Sequence, residues 1–122
     1  MGKILGVVRK YEVEIGRLGL GFVLIYAGAW SLFTPEDWIG FVPTAVEVAV
    51  SRETFLAFHA VLELAAGAAL LVGVGAFWGA VFGAANMAGI LIATGVDLIT
   101  FRDVGLLALA LMLAARLAPR PE

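Results

Sequence analysis

From Leu64 to Val96 the chain carries no charged residue, a run of 33 positions. In lipid every backbone N–H and C=O needs an internal partner, so such a run crosses a bilayer only as helix. One crossing takes roughly 20 apolar residues. The run is therefore too long for one ordinary span and too short for two. It is read as most of one helix, a tight break at Gly73-Val74-Gly75, and a following helix over about 76–95.

The rest of the 122-residue chain fits a membrane protein. Hydrophobic residues make up 62%, charged residues 15%, and the mean hydropathy is +1.03. A soluble domain has about 45–50% apolar and about 25% charged residues. The first apolar segment predicts a helix over about 15–33. Thr34-Pro35-Glu36-Asp37 then reads as a helix start, with Thr34 as cap, Pro35 in the first turn and two acids on the positive end of the dipole. Pro43 keeps that helix short, over about 35–42, and Trp38 and Phe41 suit the membrane interface. Ser51 is the next cap, opening a helix over about 53–72. The last segment has only 12 uncharged residues between Asp103 and Arg116. A helix of that length rises about 18 Å, short of the roughly 30 Å core. It is therefore expected to start near Leu98 and run to about 117, taking Arg102 and Asp103 into its first turns. The expected fold is all-α: an integral membrane four-helix bundle in one domain, with a short interfacial helix between helices one and two.

Charge placement orients this bundle. Lys3, Arg9, Lys10 and Arg17 flank the first span, and Arg116 and Arg120 follow the last. An even number of crossings puts both termini on one side, and the positive-inside rule makes that side cytoplasmic in a multi-pass cell-membrane protein. Ala27-Gly28-Ala29 after a basic stretch loosely resembles a cleavable leader. Glu12 and Glu14 interrupt the basic region and the apolar run continues to Phe33, so cleavage is not expected.

Polar residues at membrane depth are costly and usually face the bundle or a cavity. His59 and Glu63 lie four apart on one helix face, with Gly67 a turn further on. They read either as a structural pair or as a proton relay or ligand site. Arg102 and Asp103 near the outer end of helix four complete a candidate cluster, with an Arg102–Glu63 contact expected because a long arginine spans the depth difference of roughly 8 Å. Arg17 shares a face with Gly21, Gly28 and Ser31; it snorkels to set topology, or turns inward towards an acid or an anion. Gly75, Gly79 and Gly83 make two overlapping GxxxG steps with Asn86 on the same face, a pattern for close packing within the chain or in a homodimer, with Asn86 bonding across helices. Tyr26, Trp30 and Trp78 are assigned to the core or the interfacial belts.

Several chemistries are excluded. There are no cysteines, hence no thiolate, disulfide or cysteine metal site. A single histidine makes no two-histidine metal or haem site within the chain, so neither group is expected. No phosphate-binding or dinucleotide fingerprint is present, since Gly19-Leu20-Gly21 falls inside a membrane helix. The net charge of −2 gives no reason to expect nucleic acid.

Taken together, these pieces resemble the DoxX-like family of small four-helix membrane proteins. The match rests on Arg17-Leu18-Gly19-Leu20-Gly21, Tyr26-Ala27-Gly28, Trp38 and Pro43, Glu63 with Gly67 and Leu70-Leu71-Val72-Gly73, and Arg102-Asp103-Val104-Gly105-Leu106-Leu107. It spans about 15–117. Ser31 stands where many members carry a lysine. The family includes subunits linked to quinol oxidase and thiosulfate:quinone oxidoreductase, and similar folds occur in membrane chaperones. The resemblance implies a quinone-linked accessory subunit, with His59, Glu63, Arg102 and Asp103 around a quinone headgroup, or a non-catalytic assembly partner. In both, the bilayer and a membrane partner subunit are the expected surroundings. A small proton-coupled transporter is the third reading. It fits less well, since the minimal multidrug exchangers keep their carboxylate in helix one.

Overall fold

A computed structural model describes residues 1–119; Arg120 lies outside them. The described residues are helical, without strands, and include six α-helices: α1 Gly2–Lys10, α2 Glu12–Phe33, α3 Pro35–Trp38, α4 Arg52–Val72, α5 Ala76–Thr94 and α6 Phe101–Leu117. Of these, α2, α4 and α5 are long and apolar enough to cross a membrane.

Sequence punctuation sets most of the boundaries. The Ser51 hydroxyl accepts the Thr54 amide at 3.1 Å and opens α4. Gly73 closes α4 in a left-handed conformation, φ +93°, where a side chain would be strained. Gly75, φ +72°, opens α5 two residues later. The expected break in the uncharged run is therefore a turn between two glycines with positive φ.

Three boundaries differ from expectation. A separate helix, α1, precedes α2, and α2 begins at Glu12 rather than near Ile15. The interfacial helix is only α3, four residues long, followed by 3-10 turns at Ile39–Phe41 and Thr44–Val48. Pro43 forces Val42 into an extended conformation, ψ 123°, which ends helical progression. Thr34 does not cap α3: its hydroxyl donates back to Trp30 O at 3.1 Å. Lastly, α6 starts at Phe101 instead of near Leu98. The Asp97 carboxylate accepts the Thr100 amide at 2.7 Å and the Ile99 amide at 2.8 Å, and the Thr100 hydroxyl bonds Gly95 O. This capped turn occupies the residues expected to be helical.

Packing runs α2 on α4, α4 on α5, and α5 on α6, with α6 returning to α2. Glu12 and Arg116 pair at 2.8 Å, so the start of α2 and the end of α6 share one end of the molecule, here the terminal end. Leu20, Leu24, Leu70 and Leu113 are fully buried in the core. Glycine lets the helices approach. A Cβ at Gly28 would stand 2.8 Å from Ala60 O and 3.2 Å from Glu63 Cβ; one at Gly67 would stand 2.9 Å from Gly21 O. On α5, a Cβ at Gly79 would stand 2.8 Å from Ala66 O, and one at Gly83 would face Leu20 and Ala110. Gly79 and Gly83 of the stripe thus pack inside the chain, while Gly75 stays exposed at the turn. Tyr26, Trp30 and Trp78 do not fill the core. Phe22, Tyr26 and Trp30 form an exposed row on α2, Phe22 tilted against Tyr26 and Tyr26 stacked on Trp30, with centroids 6.0 and 5.6 Å apart.

Two outcomes follow from this packing. Gly28→Ala lowers stability by about 1–3 kcal/mol, the range for overpacking a close contact. Gly19→Ala, where a Cβ meets nothing within 4 Å, raises it by about 0.5–1 kcal/mol through backbone entropy. Thermal unfolding of the purified variants in one detergent measures both. The amides of Thr100 and Ile99 hold the Asp97 carboxyl below the usual carboxylate range. A carboxyl whose folded pKa is lowered adds stability above its unfolded pKa, and loses it as pH falls through the folded value. Asp97→Asn therefore melts below the parent at neutral pH, and the gap closes as the buffer is acidified below about pH 4.

Candidate functional site

Between the helices, towards the end opposite the chain termini, lies a cavity of about 1100 Å3. Small-molecule sites typically span about 300–1,000 Å3. Its α2 wall begins at Phe22 and continues through Tyr26 to Ser31; its α6 wall runs from Arg102 to Leu106. Trp38, Phe41 and Pro43 from the irregular connection close one side, and α4 and α5 supply the rest. Arg52 holds that connection in place by donating to Ile39 O at 2.6 Å.

Three polar side chains form one network on this wall. His59 Nδ1 lies 3.1 Å from Glu63 Oε1, one helical turn along α4. His59 Nε2 lies 2.7 Å from Asn86 Oδ1 on α5, and Asn86 Nδ2 donates to Glu63 Oε2 at 3.4 Å. Asn86 Oδ1 only accepts, so Nε2 carries a proton. The 3.1 Å contact between Nδ1 and Oε1 is then completed by one further proton between them. Placed on nitrogen, it makes an imidazolium–carboxylate pair; placed on oxygen, a neutral imidazole and a carboxylic acid. Both forms are net neutral and both satisfy every partner. The Glu63 side chain is 6% exposed and that of His59 27%, so the network's accessible edge is the imidazole. Phe55 stacks on the ring at 6.0 Å and Phe82 tilts against it at 5.9 Å. The i, i+4 spacing of Phe55 and His59 was the one sequence signal for these flanking rings.

The other candidates fall in three places. Arg102 and Asp103 line the same cavity, but Arg102 does not contact Glu63. The later start of α6 leaves its exposed side chain at the helix entrance, with Nε 3.4 Å from Ile99 O, and Glu63 is already occupied by His59 and Asn86. Ser31, in the position of the family's lysine, is buried at the cavity wall and donates to Ala27 O at 2.7 Å. Arg17 is remote from the cavity. It turns inward, not to an acid or anion but to the last carbonyls of α4: Leu70 O at 2.9 Å and Leu71 O at 3.5 Å. A cation there satisfies carbonyls that end the helix and complements its negative pole.

The closed network makes its members interdependent. Asn86→Leu strips a partner from both His59 and Glu63 and costs about 1–3 kcal/mol, as for any buried group left unsatisfied. Combined with Glu63→Gln, the loss falls short of the sum by about 0.5–3 kcal/mol, the coupling usual within one network. A double-mutant cycle on thermal unfolding measures it.

No curated protein and no solved structure matches the chain. The DoxX family model matches residues 13–96. That stretch holds α2, α4 and α5 with His59, Glu63 and Asn86, and ends before Arg102 and Asp103. With a match over more than half its length and three helices fit to cross a bilayer, this chain is a membrane protein belonging to the DoxX family.

Proposed function

We propose that this protein is a quinone-linked accessory subunit, crossing the membrane four times with both chain ends on the cytoplasmic side. The fourth crossing is α6, whose 17 residues rise about 25 Å; the Asp97–Thr100 turn extends it towards the opposite surface. The basic residues beside α2 and α6 favour this orientation.

The observation that carries the ligand reading is the His59–Glu63 pair at 3.1 Å, with Glu63 buried and one imidazole edge opening on an aromatic cavity. A quinone headgroup fits such a place. It is flat, it accepts hydrogen bonds through two carbonyl oxygens, and its two-electron reduction takes up two protons. Phe22, Phe55, Phe82 and Phe41 supply apolar faces, and the wide apolar lining suits a lipid-soluble tail. Both His59 nitrogens are engaged, so the ring donates to a quinone oxygen by exchanging its Nε2 bond to Asn86 Oδ1 for the new one. Glu63 behind it holds the next proton and neutralises the charge when His59 changes state. Asn86 fixes the ring's orientation. Electrons enter from a partner subunit that carries its own redox group.

The test is direct. Protein extracted in mild detergent is expected to carry a quinone identifiable by mass. Added short-tailed benzoquinone or naphthoquinone raises the melting temperature; at a hundred times Kd the stabilisation is about 2.7 kcal/mol. His59→Phe weakens binding tenfold or more, equivalent to about 1.4 kcal/mol, while Arg17→Met leaves it unchanged. Absence of both a co-extracted quinone and a melting shift overturns the reading.

A second reading rests on the closure of the same network. His59, Glu63 and Asn86 satisfy one another without a ligand, as a clamp between α4 and α5 would. In a non-catalytic assembly partner, Glu63→Gln lowers stability and leaves the partner's chemistry intact.

A further inference from the structure

We propose that α1 is a surface anchor that lies on the bilayer with its apolar side in the headgroup region and holds anionic phospholipid with its basic side. This is independent of the quinone reading.

No residue of helix α1 is buried, so it stays uncovered among the described residues. Its residues are nevertheless segregated. Ile4, Val7, Val8 and Tyr11 follow the i, i+3, i+4, i+7 spacing that puts them on one helical face. Leu5 extends that face, and Ile4 and Val7 remain 66% and 58% exposed. The opposite side presents Lys3, Gly6 and Lys10, flanked by Arg9. The helix holds three cations and no acid. A free apolar face of this size is unfavourable in water, and a basic amphipathic helix of this pattern settles into the headgroup boundary.

Position commits the occupant. A single residue, Tyr11, separates α1 from α2, the first membrane-length helix. The start of α2 is fixed against α6 by the Glu12–Arg116 pair, which also neutralises the nearest acid. The end of α1 thus sits where α2 enters the bilayer. The Lys10 ammonium stands 5.4 Å from the Tyr11 ring centroid, so an aromatic of the kind enriched at membrane–water boundaries marks that level. Three cations at this height are complementary to an anionic lipid surface, and each contributes roughly fivefold to the ratio of docked to free helix.

The chain has no cysteine, so single-cysteine variants take one label each. Val7→Cys and Gly6→Cys of the full chain, each carrying a nitroxide, are placed in nanodiscs of phosphatidylcholine alone or of phosphatidylcholine mixed with phosphatidylglycerol. The expected result is that the label at 7 is reached by oxygen and shielded from a neutral nickel chelate. The label at 6 shows the reverse. Phosphatidylglycerol increases the shielding at 7, and adding Lys3→Gln, Arg9→Gln and Lys10→Gln to Val7→Cys removes the increase. Equal access of the chelate to both labels overturns the proposal. So does shielding that phosphatidylglycerol does not change, or spin–spin broadening between labels at 7, which would place a second copy on this face.

Discussion

Gly21, Gly28 and Gly67 bring the backbones of α2 and α4 into contact, and the other packing follows from that approach. Between helices in lipid there is little hydrophobic driving force, since the surrounding tails are as apolar as leucine. Association rests on van der Waals contact and hydrogen bonds, and both need short distances. The Gly28 contact has a particular effect. It seats α2 directly against Ala60 and the Cβ of Glu63, which closes one flank of that carboxyl and turns it away from lipid. The small residues thus create the conditions under which an ionisable group is buried.

Burial leaves Glu63 needing partners, and the chain supplies them from two helices. Removing one partner of a buried charged pair typically costs about 3–5 kcal/mol, because the survivor is left uncompensated. Here Asn86 on α5 contacts both His59 and Glu63, so α5 is registered on α4 by hydrogen bonds as well as by Gly79 packing on Ala66. Moving one proton between His59 and Glu63 exchanges an ion pair for a neutral pair, without a change of partners or of net charge. That property lets it serve either as a clamp or as a donor to something in the cavity, and the His59 edge is the point where the two roles diverge.

Local features were legible in the sequence because local chemistry determines them. Ser51 caps, Gly73 and Gly75 turn, and the His59–Glu63 pair needs only the helical repeat. The paired long helices follow from the uncharged run. Features that depended on contacts between distant segments were not legible. Arg17 has an acid-seeking side chain, yet its partners are the α4 carbonyls, brought beside it by the packing of α2 on α4. Arg102 was expected to reach Glu63 on helical rise alone. The Asp97–Thr100 turn shifted the start of α6, and Asn86 had already taken the carboxylate's free oxygen. Helix α1 was missed because its basic residues were read only as flanking charge. Its apolar positions are interleaved with them and form a face only once the segment is helical.

Closure at the terminal end and openness at the other have one origin. Near the termini, α2 and α6 are joined by Glu12–Arg116 and by Leu109 and Leu113 against Gly16. Leu20 and Ala110 meet Gly83 of α5 just beyond, and Arg17 seals the end of α4. Past Leu20 on α2 and Ala110 on α6 the small-residue contacts between these helices stop, and the cavity wall takes over at Phe22 and Leu106. Large aromatic side chains on α2 and open glycine positions such as Gly105 on α6 do not interlock as Gly16 and Leu113 do. The same residues that prevent a tight seam there also furnish the aromatic walls of the cavity, so its location is a consequence of where along each helix the small residues end.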